Sequence, residues 1–188
     1  MASSQNTLFA QANSFAMLHG LYFGLLGILS LVFFRIGITH LWSTWLGYLV
    51  VLISPIVAIL LTRRFRHAVM PPATDFSFGR AYVHSLLMGF YSGFIVAAFV
   101  AVYMNWFDHG GTFDAYQAML AQPDIAAQME ISGMNAQVAL MTGGKTMHQV
   151  VEEMREIPPA HYAASLIYMN LFVAPVLSLV VAAFTRKS

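Results

Sequence analysis

Four stretches of the chain are long enough to cross a membrane and contain no charged side chain. They lie at residues 14–34, 41–62, 81–107 and 162–185. A membrane-crossing helix needs about 20 mostly apolar residues. The stretches are continuously apolar and do not alternate with a period of two, which favours helices over the strands of a membrane barrel. The sequence therefore predicts an all-α membrane protein whose four transmembrane helices form a single domain over residues 1–188.

The composition excludes a soluble enzyme, a disordered chain and a nucleic-acid-binding protein. Hydrophobic residues make up 59% and charged residues 9% of the chain, against about 45–50% and about 25% in soluble domains. A net charge of +1 supplies no basic surface for a phosphate backbone. The absence of cysteine excludes disulfides, thiolate metal sites and cysteine nucleophiles. The expected environment is the lipid bilayer, and nucleic acid is not an expected partner.

The positions of lysine and arginine predict the orientation, because the cytoplasmic loops of membrane proteins carry an excess of both. Six of the nine fall on one side of the four stretches: Arg63, Arg64, Arg66, Arg80, Arg186 and Lys187. Both termini are therefore expected in the cytoplasm, and residues 108–159 on the other side. We expect Arg63, Arg64 and Arg66 to contact anionic lipid headgroups. A nucleotide is not expected there, since no glycine-rich phosphate loop accompanies them.

The first and second halves of the chain show similar patterns. Spans one and three each carry a histidine that is followed five residues later by a glycine, and spans two and four each carry a central proline. The matched pairs are His19 with His84, Gly24 with Gly89, and Pro55 with Pro175. This pattern predicts two similar hairpins in parallel orientation. The alternative interpretation is that apolar helices resemble one another through composition alone.

Small residues recur every four positions along spans one and three. Lipid tails are as apolar as the helices, so helices in a membrane associate through close backbone contact rather than through the hydrophobic effect. We therefore expect helix–helix contacts, rather than a ligand site, at Gly20, Gly24, Gly89, Gly93 and Ala97. Together these patterns predict a four-helix bundle.

The segment 108–159 is predicted to be an acidic, helical region outside the cytoplasm. It contains seven acidic and two basic residues, so its formal charge is −5. A single apolar stripe predicts one helix, which ends before Gly143 and Gly144; its members are Ala127, Ile131, Met134, Val138 and Met141. Thr146 and Gln149 have the spacing of a capping box at the start of a second helix. A shorter helix is expected over 113–120, and Pro158 ends the last one.

Two patterns in the chain are compatible with a cofactor, a copper site and a haem site, and each also has a simpler interpretation. Thioethers suit Cu(I), and the outer segment combines six methionines (119, 129, 134, 141, 147 and 154) with His109, His148 and His161. Their helical spacing favours methionine as apolar filler. His19 with His84, and His40 with His161, form two layers of paired histidines, as in di-haem cytochromes. Histidines at the membrane interface explain the same pattern, and we expect neither a cofactor nor a metal.

The interior offers few polar side chains. The candidates are His19, His84 and Asn170, and the last is expected to form a hydrogen bond to a neighbouring helix. No span contains a carboxylate, which argues against a proton-coupled transporter. No catalytic motif appears in the chain, so we expect that it is not an enzyme.

The stretch FSFGRAY at 76–82, which opens a glycine-rich span, resembles the domain-of-unknown-function 4199 family. The order of parts is also similar: two spans, a basic loop, this motif, a third span, a methionine-rich helical segment and a last span that ends before basic residues. The resemblance implies a four-span fold in the inner membrane of Gram-negative bacteria. The family supplies no catalytic residues to transfer.

Two functional hypotheses follow. The first is a non-enzymatic scaffold or accessory subunit of an envelope component, which binds a protein partner through residues 108–159. The second is a small channel or transporter, which requires a homo-oligomer because four spans enclose little space. A continuous line of polar residues through the spans distinguishes the second hypothesis from the first.

Overall fold

The computed structural model describes residues 2–70 and 75–186, with side chains described from residue 10 onward. Within these ranges the chain forms eight α-helices. They are α1 (Ala2–Gly37), α2 (Leu41–Val69), α3 (Phe78–Trp106), α4 (Gly111–Leu120), α5 (Pro123–Ile131), α6 (Met134–Thr142), α7 (Met147–Glu156) and α8 (Pro159–Thr185).

Four helices are long and apolar enough to cross a membrane, namely Ala10–Gly37 within α1 and the whole of α2, α3 and α8. At 1.5 Å per residue their 27–29 residues extend about 40 Å, which exceeds the roughly 30 Å of a hydrocarbon core. Each helix is longer than the uncharged stretch that predicted it, because it continues into polar residues; α2 runs through three arginines to Val69. The predicted all-helical, four-span membrane protein is confirmed.

The helix α3 lies between α1 and α8 and packs along both of them. The helix α2 packs along α1 and meets α8 in two apolar clusters, where Ala58 joins Val181 and Phe65 joins Ala182. Both clusters lie towards the loop between α2 and α3. We call this end of the bundle, which carries Arg63, Arg64, Arg66 and Arg80, the arginine end.

The four short helices α4–α7, residues 111–156, connect α3 to α8 at the opposite end of the bundle. We call these helices the cap and the bundle end beside them the cap end. Within the cap, α4 packs against α7 and α5 against α6. A small apolar cluster of Phe113, Leu120, Met129 and Val151 holds these helices together, with Met104 of α3 packed beside it.

Glycines bring α1 and α3 close together. A Cβ atom on Gly20 would lie 2.5 Å from the Cβ of Tyr91, and one on Gly24 would lie 3.0 Å from the Cβ of Ile95. Distances this short leave no space for a side chain larger than hydrogen. The two glycines predicted in span one therefore lie at its contact with span three.

The contact between α3 and α8 also depends on small residues. A Cβ atom on Gly89 would lie 2.9 Å from the Cβ of Ala174, and one on Gly93 would overlap the side chain of Asn170. The Asn170 Nδ2 donates a hydrogen bond to the Gly89 carbonyl oxygen at 3.1 Å. Ala97 is buried further along α3. The small residues predicted in span three thus face a neighbouring helix.

Side-chain hydrogen bonds join α1 to α2 beside the short turn at 38–40. The Ser43 hydroxyl donates to the Phe33 carbonyl oxygen at 2.8 Å, and the Thr44 hydroxyl donates to the Gly37 carbonyl oxygen at 3.2 Å. The bond from Thr44 satisfies a carbonyl group in the last turn of α1, which has no partner within the helix, and the bond from Ser43 adds a second link between the two helices.

The predicted single helix over 127–141 is wrong. The chain forms two helices, because α5 ends at Ile131 and α6 begins at Met134. Between them Gly133 has a φ of +68°, a left-handed conformation that glycine adopts without steric cost. The break separates the two halves of the apolar stripe, and Ile131 and Met141 are 86% and 78% exposed.

The other signals in the cap are confirmed. Gly143 and Gly144 have φ values of +72° and +97° and end α6. Thr146 and Gln149 form the capping box of α7, in which the Thr146 backbone N–H donates to Gln149 Oε1 at 2.8 Å. The helix α7 ends at Glu156, before the two prolines, and the shorter helix is present as α4.

Candidate functional site

Three polar side chains from three different helices meet inside the bundle near the arginine end. His19 of α1 and His84 of α3 are joined by a hydrogen bond between His19 Nδ1 and His84 Nε2 of 3.1 Å. The Thr62 hydroxyl of α2 lies 3.2 Å from His84 Nδ1. All three side chains are fully buried. We call these residues the histidine cluster.

The hydrogen bonds of the histidine cluster are satisfied in either of two directions. A neutral imidazole carries one N–H and one acceptor nitrogen. When Thr62 donates to His84, His84 donates to His19; when His19 donates to His84, His84 donates to Thr62. Either direction gives both nitrogens of His84 a partner, which a buried polar group requires.

Aromatic rings enclose the histidine cluster. The ring of Phe65 stacks on the ring of His84, with centroids 4.3 Å apart and an interplanar angle of 5°. The ring of Phe15 meets the edge of His19 at 5.8 Å. The direct contact between His19 and His84 leaves no space for a haem iron between their facing nitrogens. His40 and His161, the other pair of the haem interpretation, are exposed near the starts of α2 and α8.

Three further buried hydroxyl groups of the bundle are also bonded. Ser85, Ser178 and Thr185 each donate to the carbonyl oxygen four residues earlier in their own helix, at 2.7–2.8 Å. Asn170, the deepest polar candidate, bonds to α3 as described above. These four polar side chains are therefore engaged within the protein.

The arginines at the arginine end are placed differently from one another. Arg63 and Arg64 are exposed, and Arg66 is half-buried. The Arg63 Nη2 donates to the Phe184 carbonyl oxygen at 3.4 Å, close to the C-terminus of α8. A cation at a helix C-terminus interacts favourably with the unpaired carbonyls and the helix dipole. The sequence suggested headgroup contact for Arg63, and the structure adds a link between α2 and α8.

A buried carboxylate joins the bundle to the cap. The Asp108 side chain is 2% exposed and lies 3.7 Å from the Nε of Arg35, at the end of α1. It accepts hydrogen bonds from the Thr112 hydroxyl at 2.6 Å and the Thr112 backbone N–H at 3.1 Å. Burial by itself raises the pKa of Asp108, but the bonds from Thr112 and Tyr103 and the charge of Arg35 outweigh it and hold the pKa below its ordinary value.

The sequence analysis did not predict the contacts of Asp108 with Arg35 and Thr112. The available signal was a threonine four residues after the first acid beyond span three, together with a single arginine at the end of span one. The two charges are 73 positions apart in the chain, and no local pattern pairs them.

The cap contains an apolar cavity of about 610 Å³. Its walls come from α4, α5, α6 and α7 and from Ser132, which follows α5; none of the lining residues belongs to a membrane span and none is charged. Five of them are methionines: Met119, Met129, Met134, Met147 and Met154. We call this cavity the methionine pocket. Unbranched thioether side chains are flexible, so such a wall adapts to apolar groups of different shapes.

The structure does not bring together the methionines and histidines of the copper interpretation. Five of the six methionines line the methionine pocket, whereas Met141 is exposed and lies outside it. His109, His148 and His161 do not line the pocket, and His148 is bonded to Gln117 instead. Among the described residues, no group of three or more His, Cys, Asp or Glu side chains is placed to hold a metal ion.

The fold and these features define a four-span helical membrane protein with a helical cap between its third and fourth spans. Residues 18–187 match the model of the family described as protein of unknown function (DUF4199), and the chain belongs to this family. The match includes the histidine cluster and the whole cap. No curated protein and no solved structure matches the chain.

Proposed function

We propose that this protein is a non-enzymatic scaffold or accessory subunit of a bacterial inner-membrane assembly, and that its cap binds a protein partner. The observation that carries the proposal is the apolar surface of the cap. Ile131 and Leu140 are each 86% exposed, and Met141 is 78% exposed. These side chains lie in the connecting segment, outside the four candidate membrane spans.

Large apolar side chains that face water in a group mark a surface that another molecule covers. The exposed apolar residues of the spans differ in this respect, because lipid covers them. Leu52 and Phe172 are 74% and 76% exposed on α2 and α8, and both lie within spans. The cap therefore carries the apolar surface that the membrane itself does not explain.

The interior of the bundle gives little support to chemistry or transport. Aromatic rings pack against the histidine cluster, and the buried hydroxyls of Ser85 and Ser178 are bonded to their own helices. The spans contain no carboxylate up to the end of α3 or within α8. A scaffold needs a packed bundle and a surface for a partner, and the close helix contacts and the exposed apolar residues of the cap support this role.

The alternative is a small channel or transporter that works as a homo-oligomer. The histidine cluster favours it, because the chain of hydrogen bonds from Thr62 through His84 to His19 crosses three helices. In this alternative the cluster carries protons or contacts the transported species. Each protomer would then need to open its arginine end to water.

The proposed orientation places both termini and the arginine end in the cytoplasm and the cap on the opposite side. The support is the position of the arginines, of which Arg63, Arg64, Arg66 and Arg80 lie at one end. The cap has a formal charge of −4 over residues 111–156, with six acidic and two basic residues, and such a segment is not held by the anionic inner leaflet.

Site-specific photo-crosslinking in the native membrane tests the proposal. A benzophenone amino acid is placed at Leu140 in the cap or, as the control, at Leu52, which is similarly exposed but lies in a span. We expect a discrete protein adduct from Leu140 and only lipid adducts from Leu52. Protein adducts from Leu52 alone, or none from Leu140, would contradict the proposal.

Solute flux distinguishes the two candidate functions. The purified protein in liposomes is expected to pass no protons above the rate of empty liposomes. Proton flux that His84→Ala abolishes and His40→Ala preserves favours the channel or transporter instead.

A further inference from the structure

We propose that the methionine pocket binds the apolar face of a positively charged amphipathic helix that belongs to the partner. The inference rests on the proposed scaffold function and specifies the chemistry of its partner. Three observations carry it: the apolar, methionine-rich wall, a lining drawn entirely from the cap, and the exposed acids of the cap that have no ion pair.

The wall of the pocket determines the kind of group that enters it. A cavity of about 610 Å³ without a charged lining residue accepts several aliphatic or aromatic side chains. Methionine is common at surfaces that bind varied apolar helices, because it changes shape at little cost. Helices bind such grooves through apolar residues spaced three and four positions apart.

The charge around the pocket determines the sign of the partner. The two basic residues of the cap are already paired, Lys145 with Glu153 and Arg155 with Asp114 and Glu152. Within the described part of the chain, three exposed acids of the cap have no basic side chain in ion-pair contact: Asp124, Glu130 and Glu156.

These three acids lie close to the pocket in the chain. Asp124 precedes the lining residue Ile125, Glu130 follows Met129, and Glu156 lies two residues after Met154. An apolar pocket in an acidic cap complements an apolar helix face that is flanked by lysine or arginine.

The same observations disfavour two other occupants. A second copy of this chain presents the same negative cap, so that two caps repel each other. The lining residues of this pocket all lie between Phe113 and Met154, outside the candidate spans, which favours a protein over an acyl chain of the bilayer as its occupant. Anionic lipid is further disfavoured by the three acids.

The test measures peptide binding to the full-length protein in phosphatidylcholine nanodiscs. The probe is a fluorescent 18-residue amphipathic helix of leucine and lysine; the matched peptide has glutamate in place of lysine. Anisotropy is measured against empty nanodiscs. We expect saturable binding of the lysine peptide at least about tenfold tighter than that of the glutamate peptide. Equal binding of the two peptides, or no binding above empty nanodiscs, overturns the proposal.

Matched variants locate the binding site. Met134 and Met154 line the pocket and are 44% and 41% exposed, so their truncation removes little buried contact. The combined Met134→Ala and Met154→Ala changes are expected to weaken binding at least about tenfold. Met141→Ala, outside the pocket, is expected to leave binding within about twofold. Equal weakening by Met141→Ala overturns the proposal.

A second variant acts only on exposed charge and preserves the cap. Asp124→Asn, Glu130→Gln and Glu156→Gln together are expected to weaken binding of the lysine peptide about tenfold at low salt. The variant should also remove most of the dependence on ionic strength. Asp75→Asn, at the arginine end, is the control and should change neither. Unchanged binding in the triple variant overturns the assignment of a cationic partner.

The outcomes separate this inference from the proposed function. If Leu140 crosslinks to a protein but the lysine peptide does not bind, the scaffold role stands and the pocket inference fails. If the peptide binds in the pocket but Leu140 captures no protein in the membrane, the scaffold role fails. Native mass spectrometry that finds a lipid lost upon Met134→Ala and Met154→Ala identifies a lipid site and overturns the inference.

Discussion

The arginine end of the bundle and the cap differ in which of their side chains are buried and which are exposed. At the arginine end, His19, Thr62 and His84 are polar and fully buried, and hydrogen bonds join them across three helices. In the cap, Ile131 and Leu140 are apolar and almost fully exposed.

This difference indicates which of the two regions we expect to bind a partner. A buried polar group that has its hydrogen bonds contributes to a unique packing and needs no further ligand. An exposed apolar group gains free energy when another molecule covers it. We therefore interpret the arginine end as the structural part of the bundle and the cap as its binding surface.

The largest effect is expected from removing the centre of the histidine cluster. His84→Ala leaves His19 and Thr62 without their partner and creates a cavity beside Phe65. The expected loss in the free energy of unfolding is about 3–5 kcal/mol, measured by denaturant titration in mixed micelles. His40→Ala changes an exposed histidine and is expected to cost less than about 0.5 kcal/mol. Similar costs for both variants would remove the structural role of the cluster.

Overpacking at the contact between α3 and α8 is expected to have the next largest effect. Gly93→Leu places a side chain where Asn170 lies, which should cost about 2–3 kcal/mol. The control is Gly79→Leu, because a Cβ atom at Gly79 meets no other atom within 4 Å. Thermal unfolding of the two variants checks the difference. Equal midpoints would contradict the close contact.

The junction at Asp108 is expected to show a smaller, pH-dependent effect. Asp108→Asn should cost about 1–2 kcal/mol at pH 7, since it weakens the hydrogen bonds from Thr112 and removes the ion pair with Arg35. The folded state holds the pKa of Asp108 below the ordinary value of 3.8. The stabilisation is therefore complete well above pH 3.8 and is lost as the pH falls through the lower pKa of the folded state.

Unfolding measured between pH 7 and pH 3 checks this expectation. The difference between wild type and Asp108→Asn should stay constant down to about pH 5 and then shrink. Asp124→Asn, which changes an exposed acid without an ion pair, is the control. A difference that grows as the pH falls would contradict the sign of the pKa change.

The smallest effect on stability is expected at the exposed surface of the cap. Ile131→Asp with Leu140→Asp should change the free energy of unfolding by less than about 0.5 kcal/mol, while partner crosslinking is lost. Leu120→Asp places a carboxylate in the buried apolar cluster of the cap and should disrupt the packing of the cap helices. Hydrogen exchange of α4–α7 measures both. Strong deprotection by the first variant would show that the exposed residues hold the cap together.

The sequence was sufficient for the spans and for the small residues at their contacts, but not for the polar pairs that join them. Uncharged apolar stretches predicted all four spans, because a bilayer requires long helices regardless of their neighbours. The histidines at 19 and 84 were placed at similar depth, yet their hydrogen bond depends on how α1 and α3 pack. The pairing of Arg35 with Asp108 has the same long-range origin.

The cap shows where local patterns were informative and where they failed. The capping box at Thr146 was predicted because its bonds lie within one turn. The apolar stripe over 127–141 was misread as one helix, since periodicity gave no weight to the glycine at 133, which adopts a positive φ. The methionine pocket, assembled from several short helices, had no signature beyond the abundance of methionine.

The most direct test compares the access of water to the bundle interior and to the cap. It uses the same serine-to-cysteine change at one position in each. The chain contains no cysteine, so Ser85→Cys and Ser132→Cys each introduce a single thiol by a nearly isosteric replacement. Ser85 is buried and follows His84 in α3, and Ser132 is exposed and lines the methionine pocket. Each variant is treated with a water-soluble maleimide in nanodiscs, where both faces are accessible.

We predict rapid labelling of Ser132→Cys and no labelling of Ser85→Cys until the protein is unfolded. The lysine peptide should slow the labelling of Ser132→Cys. Labelling of Ser85→Cys at a comparable rate in the folded protein would mean that water reaches the histidine cluster, which contradicts a closed structural end and supports a transport path.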